Sequence, residues 1–274
     1  MWAYHRRMDW VGRAREVLAG RLVVVTGASS GIGRAFVEAM APAGARFVLV
    51  ARRADLLGEV ASTVRSAGST ALVQVVDLRD EAAAQGAAHA VLAELGVPDV
   101  LVANAGHSIA RDLRGLVDRP DSISRSVAAN FTGPVAHALP ILGAMAGRGA
   151  GHLIATTTAN ARVAVPGWSA YVASKAGWDV WLRSIAPELA RDQVAATILA
   201  YGLVATPMAT PTRGTAPRFA LSTDQAAGWM ARAVVTRPSR LAPWWLPAWE
   251  VLSAAAPATT ARVTGRFSLR LRPR

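Results

Sequence analysis

No cysteine occurs in the 274 residues, which excludes disulfides, thiolate metal sites and a cysteine nucleophile. Lysine is almost as scarce: among 30 cationic side chains only Lys175 is a lysine, and the rest are arginine. No run of about 18 uncharged apolar residues is present, so no membrane-spanning helix is expected. The nearest approach, 241–258, is broken by Pro243, Pro247, Glu250 and Pro257. The first twenty residues carry charges through any would-be apolar core and do not read as a secretory signal. With nothing favouring secretion, the expected address is cytoplasmic. Acidic residues are outnumbered 18 to 30, giving a net charge of +12. Such an excess invites a polyanion partner. The arginines are scattered apart from one C-terminal cluster, however, and an arginine-rich coding bias accounts for much of the surplus. Neither a nucleic-acid partner nor a bound metal is expected.

What is present is an ordinary globular balance, 52% hydrophobic and 18% charged, at a length that suits one large domain. Short β-branched runs alternate with longer alanine-rich amphipathic stretches. The runs are LVVVT (22–26), RFVLV (46–50), TALVQVV (70–76), DVLVA (99–103), HLIATT (152–157) and VAATILA (194–200). Near-continuous apolar runs suit strands buried on both faces of a parallel sheet. Helical stretches such as 32–42, 53–66 and 80–95 fall between them. The order predicts an α/β fold: a single-domain, Rossmann-type, doubly wound parallel sheet with helices on both faces. Residues 1–20 read as an amphipathic N-terminal extension, 21–240 as the α/β domain and 241–274 as a Trp- and Arg-rich C-terminal extension.

The first strand runs directly into Thr26-Gly27-Ala28-Ser29-Ser30-Gly31-Ile32-Gly33, and a helix follows. Glycines let the backbone turn tightly and approach a pyrophosphate, whose charge meets the amides of a helix N-terminus. A bare tight turn is the alternative, and the strand–turn–helix context argues against it. The spelling TGxxxGxG resembles the short-chain dehydrogenase/reductase family, and the resemblance extends over 21–240. It implies a nicotinamide cofactor held by this turn, by Asp77 and Leu78 against the adenine, and by the turn Asn104-Ala105-Gly106. The second strand ends Val50-Ala51-Arg52-Arg53, with no carboxylate to bind a ribose 2′-hydroxyl and repel a 2′-phosphate. Arg52 is the expected partner of such a phosphate, with Arg34 and Arg53 as weaker candidates, so NADP(H) is expected over NAD(H).

Tyr171 and Lys175 stand four apart at the start of a helix expected over 171–186, which places them on one face, one turn apart. Moving hydride to or from an oxygen-bearing carbon requires a group that exchanges the oxygen's proton. A tyrosine has a reference pKa near 10, and a neighbouring ammonium favours its ionised form. If each of the 30 cations were equally eligible to be the lysine, chance would place it here about once in thirty. The resemblance adds a hydroxyl thirteen positions before the tyrosine, Thr158 where serine is usual, with Thr157 as fallback. It also adds Asn130, expected to kink the preceding helix and hold a proton-relaying water. Gly202, Val204 and Thr206 are expected beside the nicotinamide. Tyr201 replaces the family's proline and is free on sequence grounds to project into the pocket, while Asn160-Ala161 replaces a small-residue pair.

Residues 207–225 have the composition of a lid, and His107, Val163, Val165, Trp168, Met208 and Phe219 form a mostly apolar candidate wall. A hydrophobic ketone, aldehyde or alcohol is the expected substrate. The rival reading is a catalytically silent NADP(H)-binding sensor or scaffold. Residues 1–18 can form a helix presenting Tyr4, Met8, Val11, Ala14 and Leu18 on one face. The C-terminus carries Trp244, Trp245 and Trp249, then Arg262, Arg266, Arg270, Arg272 and Arg274. Peripheral membrane contact through these termini, docking of both segments on the protein body, and disorder of the last dozen residues are the open readings. Trp178 and Trp181 either fill the core or serve the two-fold pairing of this helix common in the family, which implies a homodimer or homotetramer.

Overall fold

The computed structural model describes residues 9–208 and 220–270. Seven parallel strands form its sheet: β1 (Leu22–Thr26), β2 (Arg46–Ala51), β3 (Thr70–Val75), β4 (Val100–Ala103), β5 (Gly151–Thr158), β6 (Val194–Tyr201) and β7 (Arg240–Leu241). Their spatial order is β3-β2-β1-β4-β5-β6-β7. The six apolar runs each became a strand, with ends within about one residue of the pattern.

Period-two alternation explains why these runs read as continuously apolar. Val23 and Val25 of β1, with Phe47, Leu49 and Ile154, belong to the core on one face. Leu22 and Val24, with Val48, Val50, Leu101 and Leu153, belong to the core on the other. Both faces are covered, so neither set is free to be polar. Helices α1 (Trp10–Leu18), α2 (Gly31–Met40) and α3 (Ala54–Ser66) contribute to the first core. Helices α4 (Glu81–Leu95), α7 (Gly133–Arg148) and α8 (Ser169–Arg191) contribute to the second. Two short helices, α5 (Leu113–Asp118) and α6 (Asp121–Val127), lead into α7, and α9 (Thr223–Thr236) joins the first core. The chain closes with α10 (Leu246–Ala255) and α11 (Pro257–Arg270).

Residues 10–18 dock on the body. Asp9 caps α1 by accepting from the Gly12 amide at 2.8 Å, and Ala14 and Leu18 are fully buried in the first core. The apolar face expected there is therefore consumed by the fold rather than presented outward; Tyr4 and Met8 lie outside the described residues. Trp178 is likewise a core residue, stacked on Trp181 with ring centroids 5.1 Å apart. Helix α8 starts two residues before Tyr171 and runs five beyond the expected end. Among the described residues no helix is long and apolar enough to cross a membrane.

Strand order reverses between β1 and β4, where crossovers leave the sheet on opposite faces. In such sheets the crevice at the carboxyl ends of the strands receives the ligand.

Candidate active site

A cavity of about 1,040 Å³ opens at that crevice. Its floor at the β1 end is the glycine turn, with Gly27 at φ +70° and Gly31 at φ +60°. A Cβ at Gly33 would stand 2.4 Å from the Gly27 carbonyl oxygen and 2.7 Å from Asn104 Nδ2, so only glycine lets α2 start this close to the sheet. Ser30 begins α2 without a side-chain cap, leaving first-turn amides for a ligand anion. Thr26 Oγ1 accepts from the amides of Asn104 and Ala105, both at 3.0 Å, and knots β1 to β4. Thr26 and Gly33, expected to touch the cofactor, thus stand behind the wall and shape it. Gly27, Ser29, Ser30, Gly31, Ile32, Asn104, Ala105 and Gly106, expected to hold the cofactor, line the cavity.

At the far end of the turn Arg52, Asp77, Leu78 and two further arginines line the cavity. Arg53 donates to Ser29 Oγ at 3.2 Å and Ser30 Oγ at 2.6 Å. Arg79, which the sequence reading passed over, grips Asp77 through Nε at 3.1 and 3.0 Å and through Nη2. That hydrogen-bonded guanidinium, reinforced by the Arg79 amide and the charge of Arg52, holds the Asp77 carboxyl below the usual range. Arg52 keeps only a 3.8 Å contact with Asp77 and leaves its side chain 56% exposed. Arg34 is engaged elsewhere, with Glu38 at 2.7 Å and Glu59 at 3.1 Å.

The other end of the cavity gathers the expected catalytic residues. Lys175 is 6% exposed, and its Nζ donates to the Thr156 carbonyl at 3.2 Å; burial lowers its pKa to about 8. Tyr171 lines the cavity one turn earlier, its ring edge-on to Trp168 at 6.0 Å. Asn130 is fully buried in a π-helical turn, Ala128–Thr132, that widens the junction of α6 and α7. Its Oδ1 accepts from the His107 amide at 2.7 Å, and its Nδ2 donates to the His107 carbonyl at 2.8 Å and to Ser174 Oγ at 2.9 Å. Ser174, also unforeseen, donates in turn to the Tyr171 carbonyl at 2.7 Å. The signal was there: Ser174 sits between the tyrosine and the lysine, one turn along α8. Gly106 closes the group, since a Cβ there would lie 3.0 Å from Asn130 Oδ1 and 3.3 Å from Lys175 Nζ.

Thr156, Thr157 and Thr158 all line the cavity at the end of β5. Thr158 Oγ1 accepts from the Asn160 amide at 3.3 Å, whereas Thr157 Oγ1 is buried with no hydrogen-bond partner among the described residues. Gly202, Val204, Thr206, Val165, Trp168, His107 and Met208 complete the wall. Burial and the charges of Arg52, Arg125 and Arg79 lower the His107 pKa, so the ring faces the cavity neutral at pH 7. Val163 is buried away from the cavity, and Phe219 lies outside the described residues, as does most of the expected lid, 209–219. Tyr201 lines the cavity at the end of β6, though not with its hydroxyl. Its hydroxyl donates to the Ala226 carbonyl of α9 at 2.7 Å, its ring rests against Trp229, and burial pushes its pKa up.

Residues 21–216 match the family model for short chain dehydrogenases. The chain belongs to that family. As a short-chain dehydrogenase it is an oxidoreductase, and the family takes a nicotinamide cofactor. Among its relatives is an uncharacterized oxidoreductase of Mycobacterium bovis, 36% identical over 254 residues, covering 92% of this chain and 74% of the relative. A fatty acyl-CoA reductase of Mycobacterium tuberculosis is 36% identical over 257 residues, covering 93% and 87%. Another, from Acinetobacter baylyi, is 34% identical over 228 residues, covering 83% and 77%. Among solved structures, a metagenomic short-chain oxidoreductase in complex with NADP superposes with a TM-score of 0.71 at 30% identity, covering 82% of this chain and 96% of that one. A short-chain dehydrogenase/reductase from Mycobacterium marinum gives 0.72 at 25% identity, covering 84% and 96%.

Proposed function

We propose that this short-chain dehydrogenase moves hydride between NADP(H) and a hydrophobic carbonyl compound or alcohol, with Tyr171 exchanging the proton. The observation that carries the reading is the chain's only lysine, its ammonium buried on the cavity wall one turn from Tyr171. Burying a charge is costly, and a fold retains one where chemistry needs it.

The residues fit the cofactor: a turn that admits no Cβ at Gly33, free amides at the start of α2, and arginines at the far end of the turn. The amides of Ser30, Gly31 and Ile32 would hold its pyrophosphate, Leu78 and Asp77 its adenine, Lys175 its ribose hydroxyls, and Gly202, Val204 and Thr206 the nicotinamide end. When bound, it supplies or accepts the hydride. In the reductive direction Tyr171 Oη gives its proton to the substrate oxygen, while the Lys175 charge favours the phenolate left behind. Thr158 donates to the same oxygen and orients it. Asn130, by tying His107 and Ser174 together, fixes the start of α8 and is assigned the relay end of the site.

Arg52 and Arg53 make the site cationic where a 2′-phosphate would lie, and Arg79 occupies the carboxylate of Asp77. Arg52→Ala is therefore expected to weaken NADPH binding about tenfold or more and leave NADH binding unchanged. Fluorescence titration of both cofactors checks it; equal affinities in the native chain, or no loss in the variant, would count against NADP(H) preference.

The apolar wall supports a hydrophobic substrate, and the relatives named for fatty acyl-CoA reduction support a long acyl chain. NADPH consumption with long-chain aldehydes, ketones and acyl-CoA thioesters tests the whole reading. We further assign a homodimer or homotetramer and a peripheral membrane contact through the C-terminal segment, where Trp244 is 85% exposed and Arg262 and Arg266 face outward. Sedimentation velocity at micromolar concentration, with and without anionic vesicles, reads both: two or four chain masses alone, and transfer to the vesicle fraction when they are added. A monomer that ignores vesicles would dismiss both.

A further inference from the structure

Behind the cavity wall lies a cluster of charges unrelated to cofactor or proton transfer. Asp179 follows Lys175 by one turn on α8 and is only 1% exposed. Three guanidiniums meet its carboxylate: Arg162 at 3.2 Å, Arg183 at 3.0 Å and Arg240 at 3.0 Å. Glu250 of α10 then bridges two of them, Arg162 at 2.9 Å and Arg240 at 3.3 Å. The cluster joins the catalytic helix, the β5–α8 loop, β7 and α10.

The loop is the part that matters to the site. Residues 159–168 leave β5 just after Thr158 and return to α8 just before Tyr171. They place Val165 and Trp168 on the cavity wall and Trp168 against the Tyr171 ring. Arg162 is this loop's anchor to Asp179, and Glu250 is its anchor to the C-terminal helices. A second tie comes from α11, where Thr264 Oγ1 donates to the Ala164 carbonyl at 2.8 Å. Arg240 and Glu250 both lie beyond residue 216, where the match to the family model ends. The part of the chain outside that match therefore reaches back to hold one wall of the pocket.

We infer that the Asp179–Arg162–Glu250 network is a positioning device through which the C-terminal helices set the substrate wall, and with it the fit of bulky substrates. Arg162, Glu250 and Asp179 touch no reacting atom on this account. They act through Val165 and Trp168. A held wall affects ground state and transition state alike, so its loss should appear in KM rather than kcat. The inference rests on the oxidoreductase reading above only for its kinetic half.

Asp179 is a poor residue to remove, because three arginines would be left facing an uncompensated site. Glu250→Gln keeps the shape of the side chain and removes the charge, and Arg162→Lys keeps the charge and removes the planar fork. Both are made in the full-length chain. Hydrogen exchange reads the loop without any need for a substrate: the amides of Ala161, Val163 and Trp168 are bonded within it, to Thr158, Asn160 and Val165. Their exchange is expected to speed up about tenfold in Glu250→Gln, while amides of β1 and α2 stay as they are. KM for the bulkiest carbonyl substrate turned over is expected to rise about fivefold or more, with kcat and NADPH affinity within about twofold. Arg162→Lys should fall between the native chain and Glu250→Gln. Unchanged exchange in the loop overturns the inference. Faster exchange with an unchanged KM also overturns it, since the network would then be structural alone. A native chain that binds NADPH but turns over no carbonyl fails the oxidoreductase reading instead, and the exchange result then decides the tether by itself.

Discussion

Tyr171→Phe is expected to lower kcat by about 10³-fold, within the 10²–10⁴ range typical of a lost general acid–base. The substitution removes one oxygen and leaves the ring. The edge-on contact with Trp168 depends on the ring alone, so the pocket should keep its shape. Ser174 bonds the backbone carbonyl of Tyr171 and is indifferent to the hydroxyl. NADPH affinity should therefore stay within about threefold of the native value, and KM should change little, the pattern of an interaction made only in the transition state. Steady-state rates on the best of the aldehydes, ketones and acyl-CoA thioesters, with a cofactor titration beside them, give the answer. Retention of more than about a tenth of the native kcat would move the proton-exchanging role elsewhere. Tyr201 is a poor heir, since its hydroxyl is buried against α9. Tight NADPH binding with no turnover by the native chain would favour the silent sensor instead.

How far the sequence carried depends on whether the deciding contact was local. The strands were legible because both faces of each central strand are buried, and the residues of β1 fall alternately into the two cores. The glycine turn and the Tyr171–Lys175 spacing were legible because each is a single turn of backbone. Tyr201 was not. Its strand position left two directions open, and the choice was made by α9, which brings the Ala226 carbonyl 25 residues further along the chain. The docking of α1 was likewise settled by α2 and α9 rather than by its own amphipathic pattern. Arg79 was hidden in plain view, two residues after Asp77, because a short-range ion pair has no periodic signature. The network around Asp179 had no sequence signal at all: Arg162 and Glu250 are 88 residues apart, and as scattered charges they look like surface.

The same residue that marks the site should also weaken the fold, and Lys175→Met separates the two effects. Activity is expected to fall about 10²–10⁴-fold, because the ammonium beside Tyr171 is gone. Lys175→Arg should do no better. Nζ sits 3.2 Å from the Thr156 carbonyl, where Trp178 Nε1 also donates at 3.2 Å, and Gly106 lies against it on another side. A longer, planar guanidinium would have to move its charge off that point, out into the cavity where the cofactor is proposed to lie. Stability should move the opposite way in the methionine variant. Burial lowers the lysine's pKa to about 8 from an ordinary 10.5, a difference worth roughly 3 kcal/mol. Below pH 8 the side chain is charged in both folded and unfolded chains, and the folded chain bears the whole cost of burying it. Between pH 8 and 10.5 the folded chain releases the proton while the unfolded chain keeps it, so native stability rises through that window. Methionine has no charge to bury and shows no such rise. At pH 7 the cofactor-free Lys175→Met chain is therefore expected to melt about 5 °C or more above the native one, the gap narrowing by pH 10. Thermal scans at the two pH values measure it. A variant that melts lower at pH 7 would mean that the ammonium is stabilised in place, and that the fold does not sacrifice stability to keep its one lysine beside Tyr171.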